Sequence, residues 1–543
     1  MVSCKDGNSE SQIPVYLFDE PEEFRKYGIL VCSSNNAAVE NLSKELPDLE
    51  NLDAEYAKDS NCLSCDYYSE YATNLLRKLK NNEVSKAWGL IAVPLGKYDN
   101  LTTFLTECLA PINAREEQDT LEAIWDQYCA FWDNDDNSEY VQSEYWTLGL
   151  ENDYENQFFN PLHDTELNLR RSQLFVSSLR MIRCFNETHY MRCNLRALEM
   201  LFRRNLRFDG LTDHDRSLVI QTLWDSLFFL VPVVSSTFAS IQTMLADIGP
   251  GGIGTLIIDE AGQAPPHAAA GALWRAQRAV VVGDPKQVEP VVTVDDAIAA
   301  YFRNNLNLKD APFLGKNSSV QVIADHMHPY GDYLGEEKPE NWVGCPLRVH
   351  RRCINPMFQI SNQTSYGGSM VLGGSDGIPE EDIPKYLLKA SCWIDVAGQS
   401  SGGKGSHYVT EQGDVAIRLI EKWMQKWADV PIEERQGLYV ISPFKSVVND
   451  LKSNLRRSVR NNPSMSRWID SCIGTVHTFQ GKEAAEVIFL LGCTQRAKGA
   501  VQWVNPNILN VAVTRAKKRV YFIGKWDVWN KNAVFKESVL FGH

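Results

Sequence analysis

"GTLIIDEAGQA", residues 254–264, decides how this chain is read. The apolar run Leu256-Ile257-Ile258 stops abruptly at two carboxylates, Asp259 and Glu260. A run without polar alternation suits a strand in a parallel sheet covered on both faces. Its C-terminal tip is where α/β sheets bind ligands. A carboxylate there can hold a divalent cation, and a second one beside it can act on a water. Taken alone, the pair reads equally well as a cap or a surface loop.

The following strand narrows the reading. "RAVVVGDPKQ", residues 278–287, again runs apolar and then turns polar at Gly283, Asp284 and Gln287. Two parallel strands presenting DE and GDPKQ at one sheet edge would form a site. Upstream, "GILVCSSNNAAVENLSKELP" (28–47) reads as strand, loop and helix, with Val39, Leu42 and Leu46 at helical spacing. "FFLVPVVSST" (228–237) is a further strand, and "GLYVISPF", "SCIGTVHTF", "EVIFLLGC" and "RVYFIGK" form a second set between 437 and 525. Residues 48–215 differ: rich in Tyr, Trp, Leu and charge, low in Gly, and helical in pattern. An acidic stretch at 115–140 and a basic one at 170–207 could pair as helices. The arginines of the latter could alternatively guide a nucleic-acid strand.

At 543 residues the chain exceeds one core, so about two to four domains are expected. A net charge of −15 excludes a generally basic coat but not a local basic groove. No apolar run reaches membrane-spanning length, and the N-terminus lacks a signal pattern. The 13 scattered cysteines suit reduced thiols, so a cytoplasmic setting is expected. The close pair Cys62 and Cys65 lacks the partners a zinc site needs.

Together the motifs resemble superfamily 1 helicases, most closely the group containing the nonsense-mediated-decay RNA helicase and its bacterial relatives. "DEAGQA" and "GDPKQVEPVV" resemble motifs II and III, "SSNNAAVENL" motif Ia, and "SSTFAS" the strand-binding motif that follows. "LRVHRRCINPMF" stands at the arginine-bearing motif IV, "GTVHTFQGKEAAEVIFL" at motif V and "LNVAVTRAKK" at motif VI. The order is correct over residues 30–525. The resemblance implies an α/β chain with two RecA-like parallel-sheet domains, the first incomplete and carrying a long helical insertion. The implied boundaries are 1–47 for a remnant of the first domain, 48–215 for the insertion, 216–300 for the rest of that domain, 301–345 for a connection and 346–543 for the second domain.

The resemblance also implies roles. Asp259 would bind Mg²⁺, and Glu260 would orient or deprotonate the attacking water. Gln287 would sense the γ-phosphate of ATP, with Gly283, Asp284, Gly481 and Glu483 around the nucleotide; Glu483 would bond the ribose or couple the domains. Arg515 would act as an arginine finger. A second finger falls on Arg352, although Arg351 stands where the family has a tyrosine and leaves the choice between the two open. Ser34, Asn35, Ser236, Thr237, Thr475 and His477 would touch the backbone of single-stranded DNA or RNA; His477 reads equally as a buried structural histidine.

One part of the pattern is missing. The family has a GxxxxGK[ST] phosphate loop before motif Ia, and no such stretch precedes Asn35. "GGKGSHY" (402–408) lies among the second set of strands and reads as a surface turn. Four or five charge-assisted hydrogen bonds from such a loop are worth roughly 6–15 kcal/mol. Micromolar binding needs only about 8 kcal/mol. The expectation is a helicase fragment that binds ATP weakly or not at all alone. Its phosphate loop would sit on an upstream polypeptide, whose missing strand would belong inside the first sheet. The alternative is a non-catalytic nucleic-acid-binding or scaffold protein derived from a helicase.

Overall fold

The computed structural model describes residues 1–543 except 10, 53–66, 116–164, 291–294, 308–317, 339–340, 375, 400–405, 432–434, 436, 459–462, 480 and 537–543. The Cys62–Cys65 pair, nearly all of the acidic stretch and the GGKG turn lie outside the described residues. The chain divides into two compact units, Met1–Val282 and Gly283–His543. Residues 283–300, expected with the first domain, therefore fall in the second unit.

In the first unit, β1 (Val2–Asp6) pairs antiparallel with β2 (Gln12–Val15) and with β5 (Leu206–Arg207). The main sheet comprises β3 (Ile29–Ser33), β4 (Ala92–Pro94), β6 (Val233–Thr237), β7 (Ile253–Ile258) and β8 (Ala276–Val281). Its order is β4-β6-β3-β7-β8, and every pairing is parallel. β3 is central and almost wholly buried, which is why its sequence shows no alternation. Gly254 is required in β7: a Cβ there would stand 2.2 Å from the Arg25 carbonyl.

The stretch expected as a helical insertion is helical over Ser69–Lys80, Thr165–Asn186 and His189–Phe202. It also contributes β4 to the sheet, a three-residue strand too short to show a period. The basic stretch is partly neutralised locally, through Arg183–Glu187 at 3.1 Å and Arg203–Glu199 at 2.9 Å.

The described strands leave no gap inside this sheet. Instead β8 has one paired neighbour, β7, and its free side shows apolar surface: Val280 and Val282 are 49% and 43% exposed. An exposed apolar edge of this kind is what loss of a strand from the expected sheet would leave. An exposed strand edge of this kind leaves a row of backbone groups without ladder partners.

The second unit carries two short pairs, β9 (Gly331–Tyr333) with β10 (Trp342–Gly344) and β11 (Val349–His350) with β12 (Val371–Leu372). Its main sheet holds β13 (Cys392–Asp395), β14 (Leu438–Ser442), β15 (Ile473–Thr475), β16 (Ala484–Leu490) and β17 (Ala516–Gly524). The order is β13-β17-β16-β14-β15, again all parallel. One continuous core covers it, including Trp423, Phe489, Phe522 and Trp529. The expected α/β class with two parallel-sheet domains is observed. Among the described residues no helix is long and apolar enough to cross a membrane.

Candidate nucleotide and strand site

In the first unit, register sets the site. Ser33 lies opposite Thr237, and Cys32 opposite Ile258. The Asp259 N–H donates to the Cys32 carbonyl at 2.9 Å. Ser34, Asn35, Thr237, Asp259 and Glu260 therefore leave the C-terminal ends of three adjacent strands at one level. Ser34 is exposed and Asn35 half-buried. The Asn35 carbonyl accepts from the Val39 N–H at 3.3 Å, opening the helix that follows. Thr237 is half-buried, its Oγ1 3.2 Å from Ser240 Oγ. Ser236 departs from expectation: it is fully buried, and its hydroxyl donates to the Thr237 carbonyl at 3.3 Å. Strand alternation turns it inward, so it is not presented to a ligand.

Asp259 is half-buried. Desolvation pushes its carboxyl above the usual carboxylate range, against the Glu260 N–H that donates to its Oδ1 at 2.9 Å. Among the described residues no cation pairs with it, and no cluster of three or more metal-ligating side chains exists. A desolvated carboxylate short of counter-charge fits a hard cation. Mg²⁺ characteristically takes one or two carboxylates and completes its shell with water and substrate phosphates. Glu260 has φ +55°, left-handed for a non-glycine residue, a conformation that costs about 1–3 kcal/mol. Its carboxylate accepts from Gln263 Nε2 at 2.8 Å.

In the second unit, the GDPKQ loop is held by side chains that the sequence reading passed over. Asp284 accepts from the Lys286 N–H at 2.9 Å and from Gln287 Nε2 at 3.0 Å. The Gln287 amide is thus engaged with Asp284 rather than held open for a phosphate. The Tyr366 hydroxyl donates to Asp284 Oδ2. Asn510 Nδ2 donates to Tyr366 Oη at 2.8 Å and to the Lys286 carbonyl at 2.9 Å, and its Oδ1 accepts from Ser361 at 2.7 Å. Burial, then the negative charge of Asp284, push the Tyr366 phenol up. Asn510 stands inside the quoted "LNVAVTRAKK"; nothing in the sequence near Tyr366 marked it.

At the N-terminal ends of β16 and β17, Glu483 pairs with Arg352 at 3.5 Å and with Lys517. Arg352 and Glu483 are each 40% exposed at the side chain, so a ligand can reach them. Arg351 is also exposed. Gly481 begins the same loop with φ +77°. The backbone of this arginine loop is tied to β17, where the Ile354 N–H donates to the Lys517 carbonyl at 3.2 Å.

Arg515, expected as an arginine finger, is 1% exposed and engaged within its own unit. Its guanidinium donates to the Val511 carbonyl at 3.0 Å, the Lys482 carbonyl at 3.0 Å and Thr514 Oγ1 at 3.3 Å. It stitches the helix Pro506–Thr514 to the loop at Lys482. The physical reason is local: a buried helix end and a neighbouring loop leave carbonyls that need donors, and a guanidinium has five.

Thr475 ends β15 and His477 follows it, at the opposite, C-terminal end of the strands. Thr475 Oγ1 is 3.0 Å from Thr478 Oγ1. His477 is exposed as a residue, yet packing around its ring lowers its pKa, leaving a neutral imidazole at neutral pH. In this unit the proposed nucleotide and strand residues thus occupy opposite ends of the sheet.

Two family models, each described as an AAA domain, match residues 337–527 and 211–294. Helicase sen1 of Schizosaccharomyces pombe is 25% identical over 280 residues, covering 50% of this chain and 14% of that protein. The 5'-3' DNA helicase ZGRF1 of Mus musculus is 24% identical over 268 residues, covering 49% of this chain and 12% of that protein. The chain belongs to the superfamily 1 helicases, in the group that contains the nonsense-mediated-decay RNA helicase. Its match spans about one-eighth of each of these two relatives. Among solved structures, an arterivirus nonstructural protein 10 helicase is similar at 12% identity and a TM-score of 0.27, covering 55% of this chain and 44% of that one. The stretches read as motifs IV, V and VI fall inside the first of the matched ranges, and Ser236, Thr237, Asp259, Glu260 and Gln287 inside the second.

Proposed function

We propose that this chain carries the motor core of an ATP-dependent helicase or translocase acting on single-stranded DNA or RNA. The observation that supports it best is the level strand edge of the first unit. There the half-buried Asp259 and the left-handed Glu260 stand one strand away from Ser34 and Asn35, with Thr237 beyond. In this reading Asp259 holds Mg²⁺, which lends positive charge to the phosphates of a bound nucleotide. Glu260 orients the attacking water and takes its proton. Within the second unit, Arg352 and Glu483 are the nucleotide residues of this reading, and Thr475 and His477 the strand residues. Small hydroxyl and amide groups suit backbone positioning without sequence readout. A 5'-to-3' direction follows the relatives. A phosphate loop, absent from the sequence, would be supplied alongside the free edge of β8 by a segment outside it.

The engaged Gln287 and buried Arg515 favour a second reading, a strand-binding scaffold that keeps the fold and no longer hydrolyses ATP. Both readings share strand binding, which is tested first. Labelled single strands and blunt duplexes are titrated at two salt concentrations. Tighter single-strand binding that weakens as salt rises is expected. Equal affinity for the duplex, or no salt effect, contradicts both readings.

A further inference from the structure

A cavity of about 520 Å³ opens in the first unit, apart from the carboxylate pair. Its volume lies within the range of pockets that hold small molecules, roughly 300–1,000 Å³. Phe202 and Trp224 form one wall, their rings 5.7 Å apart and edge to face. Tyr98 stands at the mouth, 81% exposed. Ser240, Thr243 and Arg204 add polar groups. Arg204 is exposed, and among the described residues its guanidinium has no carboxylate partner, whereas Asp247 on the same rim is paired with Arg216 at 3.0 Å.

The cavity joins the strand-end site directly. Ser240, in its lining, sits 3.2 Å from Thr237 Oγ1. Gly96, also in its lining, lies so close to β6 that a Cβ there would stand 2.7 Å from Ser236 Oγ and 3.2 Å from the Thr237 N–H. A phosphate held near Thr237 would therefore place its own base, or the next, at the cavity mouth. The chemistry of the lining narrows the occupant. An apolar side chain would leave Arg204 and both hydroxyls without use, and a bare phosphate would ignore the aromatic wall. A nucleobase has flat faces for stacking and polar edges for hydrogen bonds.

We propose that this cavity takes one nucleobase of the bound single strand. The base stacks on Tyr98, and its edge reaches Arg204, Ser240 and Thr243. The proposal rests on the strand-binding reading above. Because the contact is chiefly stacking, it discriminates weakly between bases and fixes the strand against sliding.

The test uses the full chain and two labelled 15-nucleotide probes, oligo-dT and an abasic strand with the same phosphates. Base stacking is worth about 1–3 kcal/mol per base, so oligo-dT should bind roughly 5- to 150-fold more tightly. Tyr98→Ala should remove most of that preference and leave abasic binding unchanged. Thr243→Trp should fill the cavity and act the same way; both side chains are on the surface, so the fold is kept. Arg204→Gly, which suits the backbone there at φ +60°, should weaken oligo-dT binding about threefold or more. If the variants weaken both probes equally, or leave oligo-dT binding unchanged, the base pocket is overturned while strand binding stands. If the unsubstituted chain binds neither probe, the strand-binding reading falls with it.

Discussion

Replacing Tyr366 with phenylalanine isolates one hydroxyl that ties the GDPKQ loop to the rest of the second unit. That hydroxyl donates to the Asp284 carboxylate and accepts from Asn510 Nδ2 at 2.8 Å. A hydrogen bond to a charged group is worth about 1.5–3 kcal/mol and a neutral one about 0.5–1.5. Tyr366 is only 9% exposed, so water cannot readily replace it. Asp284 keeps Lys286 N–H and Gln287 Nε2, and Asn510 keeps the Lys286 carbonyl, which limits the loss to about 2–4 kcal/mol. For a unit of this size each kcal/mol lowers the melting midpoint by about 2–4 °C. The expected shift is therefore roughly 4–16 °C, accompanied by faster amide exchange at Lys286. Tyr333→Phe is the control: the Tyr333 ring packs on Trp342, and losing its hydroxyl should cost under about 0.5 kcal/mol. Equal midpoints and unchanged exchange at Lys286 in Tyr366→Phe would show that the loop is not held this way.

Two further outcomes follow from buried charge. Arg515→Met should destabilise the second unit by about 3 kcal/mol or more without any nucleotide present, since three hydrogen bonds are lost, two buried and one part-buried; an unchanged denaturation midpoint would refute this. Asp225 is raised by burial from 3.8 to about 6, against the pull of Arg25 at 3.4 Å. The folded state then binds the proton more tightly than the unfolded one. Its contribution is fully present below about pH 4 and is lost as pH rises through about 6, about 3 kcal/mol at 1.36 kcal/mol per unit. Asp225→Asn should remove that component of the first unit's pH dependence, and an unaltered slope would refute it.

The strands were legible because their runs are plain: "ILVCS", "TLIID" and "VYFIG" admit little else, and their polar tips follow. The strand-end placement of Asp259 and Thr237 came with them, since a parallel sheet brings successive C-terminal ends to one edge. Three matters were not legible. β4 is three residues long, too short for any period to emerge from a helical neighbourhood. The burial of Ser236 and Arg515 depends on which neighbours need donors, a tertiary fact that a motif does not carry. Tyr366 meets Asp284 across 82 residues, and no local pattern encodes such a pairing. The open edge falls at β8 because β3 pairs on both sides, with β6 and β7, and β7 pairs in turn with β8.

The central proposal is that the strand-end carboxylates would act as a hydrolytic pair once a phosphate loop is supplied. It is tested most directly by phosphate release in the presence of Mg²⁺ and single-stranded nucleic acid. The chain alone is compared with the chain joined to a related helicase's strand and GxxxxGK[ST] segment, added alongside β8. The account expects no turnover from the chain alone, strand-stimulated turnover from the joined protein, and loss of that turnover in Glu260→Gln. A joined protein that folds and binds nucleotide yet releases no phosphate would contradict it, as would Glu260-dependent turnover by the chain alone.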